Sequence, residues 1–191
     1  MRIAIEGGEG VGKSTLISFI QTLYPNAVVA AEGKLPNKEA VYAKTPLLQT
    51  YAFAQDRARL NHTVYLPNKH RLVVTDRSVV SNIIYQGGGQ LGIDGILYLN
   101  RVVDPDFSLP DHVIILDSDP AFNRERLELT GRELDSNDLK SLEHHEAIRQ
   151  DYLKFAQTGL VPATVIRDIH QMDMAAVAQI LDRIIGIHGH L

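Results

Sequence analysis

Short β-branched apolar runs alternate along this chain with longer stretches in which apolar residues recur every three to four positions. The runs Arg2–Glu6, Ala27–Ala30, Leu72–Thr75, Val113–Leu116 and Thr164–Ile166 have the composition of strands buried on both faces. Helical periodicity covers about 13–23, a short piece at 38–43, and a long stretch from Pro46 to just before Pro67. It returns over 78–86, 91–103, a segment begun by Asp119-Pro120, 138–157 and 172–185. Thr45-Pro46 is a strong helix start, a capping hydroxyl followed by proline at the first helical position. The polar segment Thr130–Asn137 lies between two helices and predicts a mobile lid. Strands alternating with helices at this spacing predict an α/β fold, a five-stranded parallel sheet with helices on both faces, whose ligands bind beyond the carboxyl ends of the strands.

Composition narrows the function classes. The 191 residues show no repeat or linker, so a single domain over 1–191 is expected. A net charge of −4 weighs against a dominant nucleic-acid-binding surface. The chain has no cysteine, which excludes disulfides, thiol catalysis and thiolate metal sites. No apolar run approaches the roughly 18 residues of a membrane span, and the chain enters its first strand without a signal-peptide pattern. A cytoplasmic protein acting on small molecules is the expectation, without nucleic-acid or membrane partners.

Behind the first strand stands Gly7-Gly8-Glu9-Gly10-Val11-Gly12-Lys13-Ser14-Thr15, which fits the phosphate-loop pattern. Glycines allow a tight turn whose N–H groups point inward, and the following helix adds its positive N-terminal dipole. Lys13 can reach the β- and γ-phosphates and the Ser14 hydroxyl can ligate Mg²⁺, so ATP with Mg²⁺ is the expected donor. Asp76 and Arg77 follow a predicted strand at the same sheet edge, where a guanidinium can hold a phosphate in bidentate fashion. Phe53 and Arg57, four apart, share one helix face; by spacing alone they read as a core aromatic beside a surface arginine, although an aromatic face with a fixed donor fork would suit a planar base.

The ordered set IEGGEGVGKST, FAQDR, TDRSVVSNIIYQGGG, PDHVIILDSDP, GRELD and the R-x-x-Y of Arg149 to Tyr152 resembles the thymidylate kinase family. The resemblance implies the three-layer α/β/α P-loop NTPase fold with a short lid, transfer of the γ-phosphoryl of ATP to dTMP to give dTDP, and a homodimer formed through helices such as 78–86 and 91–103. It implies that Phe53 stacks on thymine, that Arg57 and Asn82 read its edge, and that Tyr85 fills the space of a ribose 2′-OH. It further implies that Arg77 holds the acceptor 5′-phosphate with Ser81 near it, that Asp76 organises Mg²⁺, and that Glu9 attends the acceptor sugar. Some members carry an arginine at the position of Gly10 and others draw it from the lid, so Arg126, Arg149 and Arg132 become the candidate catalytic cations. Adjacent residues on a helix diverge, so His144-His145 is read as a pair of surface histidines, not a chelate.

The chain departs from the family pattern in three places. Ala31-Glu32-Gly33 stands where Arg-Glu-Pro-Gly is usual, leaving Lys34 or Lys38 as substitutes; Ser78 replaces an aromatic residue; and Asp135-Ser136 replaces Asp-Arg in the lid. Two alternatives therefore stay open. One is a kinase for another deoxynucleotide or for a deoxynucleoside, the latter needing a base such as Glu32. The other is a non-catalytic nucleotide-binding regulatory protein, against which Lys13, Ser14, Asp76 and Arg77 all count.

Overall fold

Strand β1 (Arg2–Glu6) forms the middle of the sheet, with Ile3, Ala4, Ile5 and Glu6 all fully buried. The computed structural model describes residues 1–36, 38–42, 44–88, 91–129, 131 and 138–187. Around β1 the order is β2 (Val28–Ala31), β3 (Val73–Asp76), β1, β4 (His112–Asp117), β5 (Ala163–Arg167), every pairing parallel. The helices are α1 (Lys13–Leu23), α2 (Lys38–Tyr42), α3 (Pro46–Leu60), α4 (Val79–Gln86), α5 (Gly92–Val103), α6 (Pro120–Leu129), α7 (Leu142–Ala156) and α8 (Met174–Ile187).

Period-two alternation divides the core between two layers. Ile3 and Ile5 join Leu16 and Ile20 of α1 and Val177 and Leu181 of α8 on one side. Ala4 packs with Val80 and Ile83 of α4, Ile96 of α5 and Tyr152 and Phe155 of α7 on the other. This is the α/β/α arrangement that the buried strands and amphipathic helices require. From β1 the chain turns toward the β2 side, and after β3 it crosses to the β4 side, so a crevice opens at the carboxyl edge of β1. The register pairs Asp76 with both Ile5 and Ala31, and Glu6 with Ile115, bringing Gly7, Glu32, Arg77 and Asp117 out near one level.

Some elements differ from the sequence expectation. The helix begun at Pro46 is α-helical only to Leu60; it widens into a π-helical turn at Asn61–Tyr65 and a 3-10 turn at Leu66–Asn68 as it meets Pro67, which has no N–H for the ladder. The long helix starts at Leu142, not at 138, because Ser141 supplies the cap by accepting from the His144 N–H at 3.2 Å. Of the two helices expected at a dimer face, α4 turns Val79, Val80 and Ile83 into the core, whereas α5 leaves Tyr98 and Val102 exposed. The lid at 130–137, with Arg132 and Asp135-Ser136, lies outside the described residues apart from Gly131. Among the described residues no helix is long and apolar enough to cross a membrane.

Candidate active site

The phosphate loop forms a tight arch from β1 to α1. Gly7, Gly10 and Gly12 take φ of 134°, 72° and 106°. Glycine is required twice over at two of them: a Cβ on Gly7 would lie 2.6 Å from the Leu116 carbonyl oxygen, and one on Gly10 2.6 Å from that of Asn123. The Lys13 ammonium folds under the arch and donates to the Gly8 and Gly7 carbonyls at 2.7 and 3.1 Å. Burial, then the nearby Arg77 charge, lowers its pKa to about 8. A phosphate at the loop would relieve both effects. Ser14 and Thr15 stand exposed in the first turn of α1.

Arg77, directly after β3, is one of two non-glycine residues with positive φ among those described, at 67°. That conformation costs an L-residue about 1 kcal/mol, so contacts must hold it. Its Nη1 donates to Ser81 Oγ at 3.1 Å and Tyr152 Oη at 3.3 Å, and its Nη2 pairs with Glu9. Burial works against its charge, but Glu9 first, then Tyr85, Tyr152 and Glu6, outweigh burial and keep the guanidinium firmly protonated. The Tyr85 ring lies 5.5 Å from the guanidinium, and its hydroxyl is 3.5 Å from Glu9 Oε1.

A cleft of about 480 Å³ runs from Glu9 and Arg77 to Phe53 and Arg57, lined also by Ser81, Asn82, Tyr85 and Gln86. The structure thus brings together all six residues expected at an acceptor nucleotide. Asn82 is 3% exposed; its Nδ2 donates to Gln86 Oε1 at 2.9 Å and to Thr50 Oγ1 at 3.3 Å. Its Oδ1 has no partner among the described residues, leaving an acceptor for a ring N–H. Arg57 is 4% exposed, with Nε donating to Glu32 Oε2 at 2.8 Å and Nη1 to Asn100.

The remaining candidate cations sit on the loop's other side. Arg126 on α6 has Nη1 buried without a partner among the described residues, 3.7 Å from where a Cβ on Gly12 would stand. Its guanidinium carbon is 5.9 Å from the Phe122 ring centroid, and that ring stacks on His170 at 4.1 Å. Arg149 on α7 is engaged: Nε donates to Asp117 Oδ1 at 2.5 Å and Nη1 to Glu146 at 3.2 Å, and these bonds raise its pKa. It lines a small cavity beneath Gly8 and Glu9. Asp76 Oδ1 is buried with no partner among the described residues, and with the Ser14 hydroxyl it offers the oxygen donors that a hard divalent cation prefers.

Several cleft residues carried no clear signal in the sequence. Lys140 and His144, just before and within α7, face the acceptor cleft from across it, whereas Lys34 is exposed outside the cleft lining. His145 lines the small cavity instead, so the two histidines do diverge. Ser78 caps α4 by accepting from the Val80 N–H at 3.1 Å, and its hydroxyl donates to Glu6 Oε1 at 2.7 Å. Glu6 had no local mark except a charge ending an apolar strand. Burial raises its pKa, against hydrogen bonds from Ser81, Ser78 and Tyr152.

Comparison with known proteins agrees with this geometry. The family model for thymidylate kinase matches residues 5–172. The thymidylate kinase of Aliarcobacter butzleri (strain RM4018) is 32% identical over 155 aligned positions, covering 75% of this chain and 78% of that protein. That of Geobacillus sp. (strain WCH70) is 29% identical, covering 96% and 97%. A probable thymidylate kinase of Pyrobaculum calidifontis is 33% identical, covering 85% and 86%. A family match over most of the chain, with relatives at this identity and coverage, leaves one reading of its kinship: the chain belongs to the thymidylate kinase family.

Proposed function

We propose that the protein transfers the γ-phosphoryl group of ATP to dTMP, giving dTDP and ADP. The observation that carries this reading is the continuity of the cleft, from Glu9 and Arg77 beside the phosphate loop to Phe53, Arg57 and Asn82. Its volume of about 480 Å³ lies within the range of small-molecule sites. The unpartnered Asn82 Oδ1 suits the N3–H of thymine, and the Arg57 fork suits its carbonyl.

In this reading the phosphate loop and Lys13 hold the β- and γ-phosphates, and Arg77 orients the acceptor phosphate with Glu9 paired to its Nη2. An acceptor oxygen attacks the γ-phosphorus, the bond to the β–γ bridging oxygen breaks, and ADP leaves. A phosphate monoester has a second pKa near about 6, so the nucleophile is already ionised at neutral pH and needs no base. Alignment and charge neutralisation do the catalytic work. Arg126, with an unpartnered Nη1 beside Gly12, is the described cation freest to meet the donor phosphates; Arg149 would first have to leave Asp117. Ser14 and Asp76 would hold Mg²⁺, which when bound neutralises phosphate charge.

A deoxynucleoside acceptor would require a base, and Glu32 is already engaged by Arg57 and Tyr65. This favours the monophosphate. The exposed α5 face around Tyr98 and Val102 supports a homodimer. The deciding experiment measures ADP formation with dTMP, dUMP, the other monophosphates and free deoxynucleosides, for the wild type and for Arg77→Ala. We expect dTMP to be preferred, and Arg77→Ala to abolish acceptor use while ATP still binds. Rapid turnover with another acceptor and none with dTMP would reject the assignment.

A further inference from the structure

Among the described residues Glu6 is the one fully buried carboxylate, it lies in the layer beneath the acceptor cleft, and the transfer reaction does not use it. Four donors converge on it from two helices. Oε1 accepts from Ser78 Oγ at 2.7 Å and from the Ser81 N–H at 3.3 Å, in the first turn of α4. Oε2 accepts from Ser81 Oγ at 2.6 Å and from Tyr152 Oη at 3.1 Å. A buried carboxylate this well satisfied at a helix N-terminus is a built arrangement.

The two hydroxyls on Oε2 are also the two that meet Arg77. Ser81 Oγ and Tyr152 Oη stand 3.1 and 3.3 Å from the same Nη1. A hydroxyl has one proton. The two oxygens also lie 2.9 Å from each other, where either could donate; with both protons committed to Glu6 instead, both oxygens turn lone pairs toward Arg77 and can only accept from it. Nη1 is thereby drawn inward, and Nη2 is left on the cleft side with Glu9. The same contacts hold Arg77 in its left-handed conformation.

We propose that Glu6 is a positioning residue for the acceptor phosphate: by fixing the proton direction of Ser81 and Tyr152 it sets the guanidinium plane of Arg77. Ser78 takes part as well, since its hydroxyl supplies one of the donors that keep Glu6 in place. Ser81, on the cleft wall, then acts through Arg77 and not as a direct ligand. The proposal rests on the reading of Arg77 as the phosphate ligand.

Glu6→Gln tests it with little change of shape. A glutamine places an NH₂ against at least one hydroxyl, which must turn its proton away, toward the other hydroxyl 2.9 Å off or toward Nη1, so the pair no longer presents the same lone pairs to Arg77. The expected result is a dTMP KM raised about tenfold or more, in line with the loss of charge-assisted hydrogen bonding, with kcat within about threefold and ATP KM unchanged. If Glu6→Gln does not fold, the double variant Ser81→Ala/Tyr152→Phe, which removes both bridges, is expected to give the same split. An unchanged dTMP KM, or equal rises for ATP and dTMP alongside a lower melting temperature, would overturn the proposal by making the network merely structural. Arg77→Ala run in parallel separates the two levels. If it keeps wild-type dTMP use, the phosphate-ligand reading falls and takes the proposal with it; if it loses dTMP use while the Glu6 variant does not, only the proposal falls.

Discussion

Arg57 and Glu32 form a buried ion pair on the floor of the acceptor cleft, 2.8 Å apart with side chains 5% and 8% exposed. The pair joins α3 to the segment that follows β2, and the Tyr65 hydroxyl donates to the second Glu32 oxygen at 3.2 Å. Arg57 thus meets the cleft as a locally neutralised donor fork, suited to a carbonyl. Glu32→Gln should leave that guanidinium without its counter-charge and lower stability by about 3 kcal/mol, because a buried charge that loses its partner keeps its desolvation cost. Urea denaturation with and without Arg57→Met in the same chain checks this. A double variant no more stable than Glu32→Gln alone would point to a cause other than the orphaned charge.

Much of the architecture could be read from local pattern. The five apolar runs became the five strands because burial on both faces leaves a strand little choice of composition. Thr45-Pro46 marked the start of α3 through its own chemistry. Tertiary partners hid the rest. Glu6 meets Ser78, Ser81 and Tyr152 across 72, 75 and 146 positions of sequence, so no window around residue 6 could reveal it. Helix α4 has an apolar composition that fits a dimer face and a core face equally, and only the packing of Val80 and Ile83 on Ala4 decides for the core. The helical pattern placed the start of α7 near 138, and the Ser141 cap sets it at Leu142 instead.

The lowered pKa of Lys13 makes donor binding depend on pH. The lysine titrates near 10.5 in the unfolded chain and near 8 in the native one. Between those values the unfolded state holds a proton that the native state has lost, so this group makes the ligand-free protein more stable as pH rises from about 8 to 10.5 and contributes no slope below 8. ATP needs the charged ammonium. Its affinity should be flat below pH 8 and fall by up to about tenfold per unit above it, with proton uptake on binding. Calorimetry in EDTA, in two buffers of different ionisation enthalpy, isolates the lysine from any metal. Lys13→Met should bind ATP weakly and without this pH dependence; a persisting slope would assign the proton elsewhere.

Gly10 accounts for the missing loop arginine in steric terms. At φ 72° any side chain is strained, and its Cβ would stand 2.6 Å from the Asn123 carbonyl oxygen and 2.9 Å from Leu127 on α6. Gly10→Ala should cost about 2 kcal/mol or more, the sum of a left-handed backbone and an overpacked contact. Gly10→Arg should be at least as destabilised, and should gain no activity from its cation unless α6 shifts. Gly8→Ala is the control, since a Cβ there meets nothing within 4 Å. Equal melting temperatures for Gly8→Ala and Gly10→Ala would contradict the packing of the loop against α6.

Tyr98 and Val102, 69% and 58% exposed, lie four residues apart on α5, so they share one side of a helix whose Ile96 and Leu97 are buried against the core. Exposed apolar side chains scattered singly are common, but two large ones side by side on one helix fit a contact with a second copy of the chain. The wild type is then expected to sediment as a dimer at micromolar concentration. Tyr98→Arg combined with Val102→Asp places charge in the middle of that contact, where an unpaired charge costs several kcal/mol once desolvated, and should shift the protein to a monomer. Circular dichroism must remain unchanged, since neither residue belongs to the core, and dTMP KM then reports whether the cleft formed by α3, α4 and α7 depends on the partner. A wild type that sediments as a monomer would leave the α5 face without this role, and a variant that stays dimeric would move the interface to another surface.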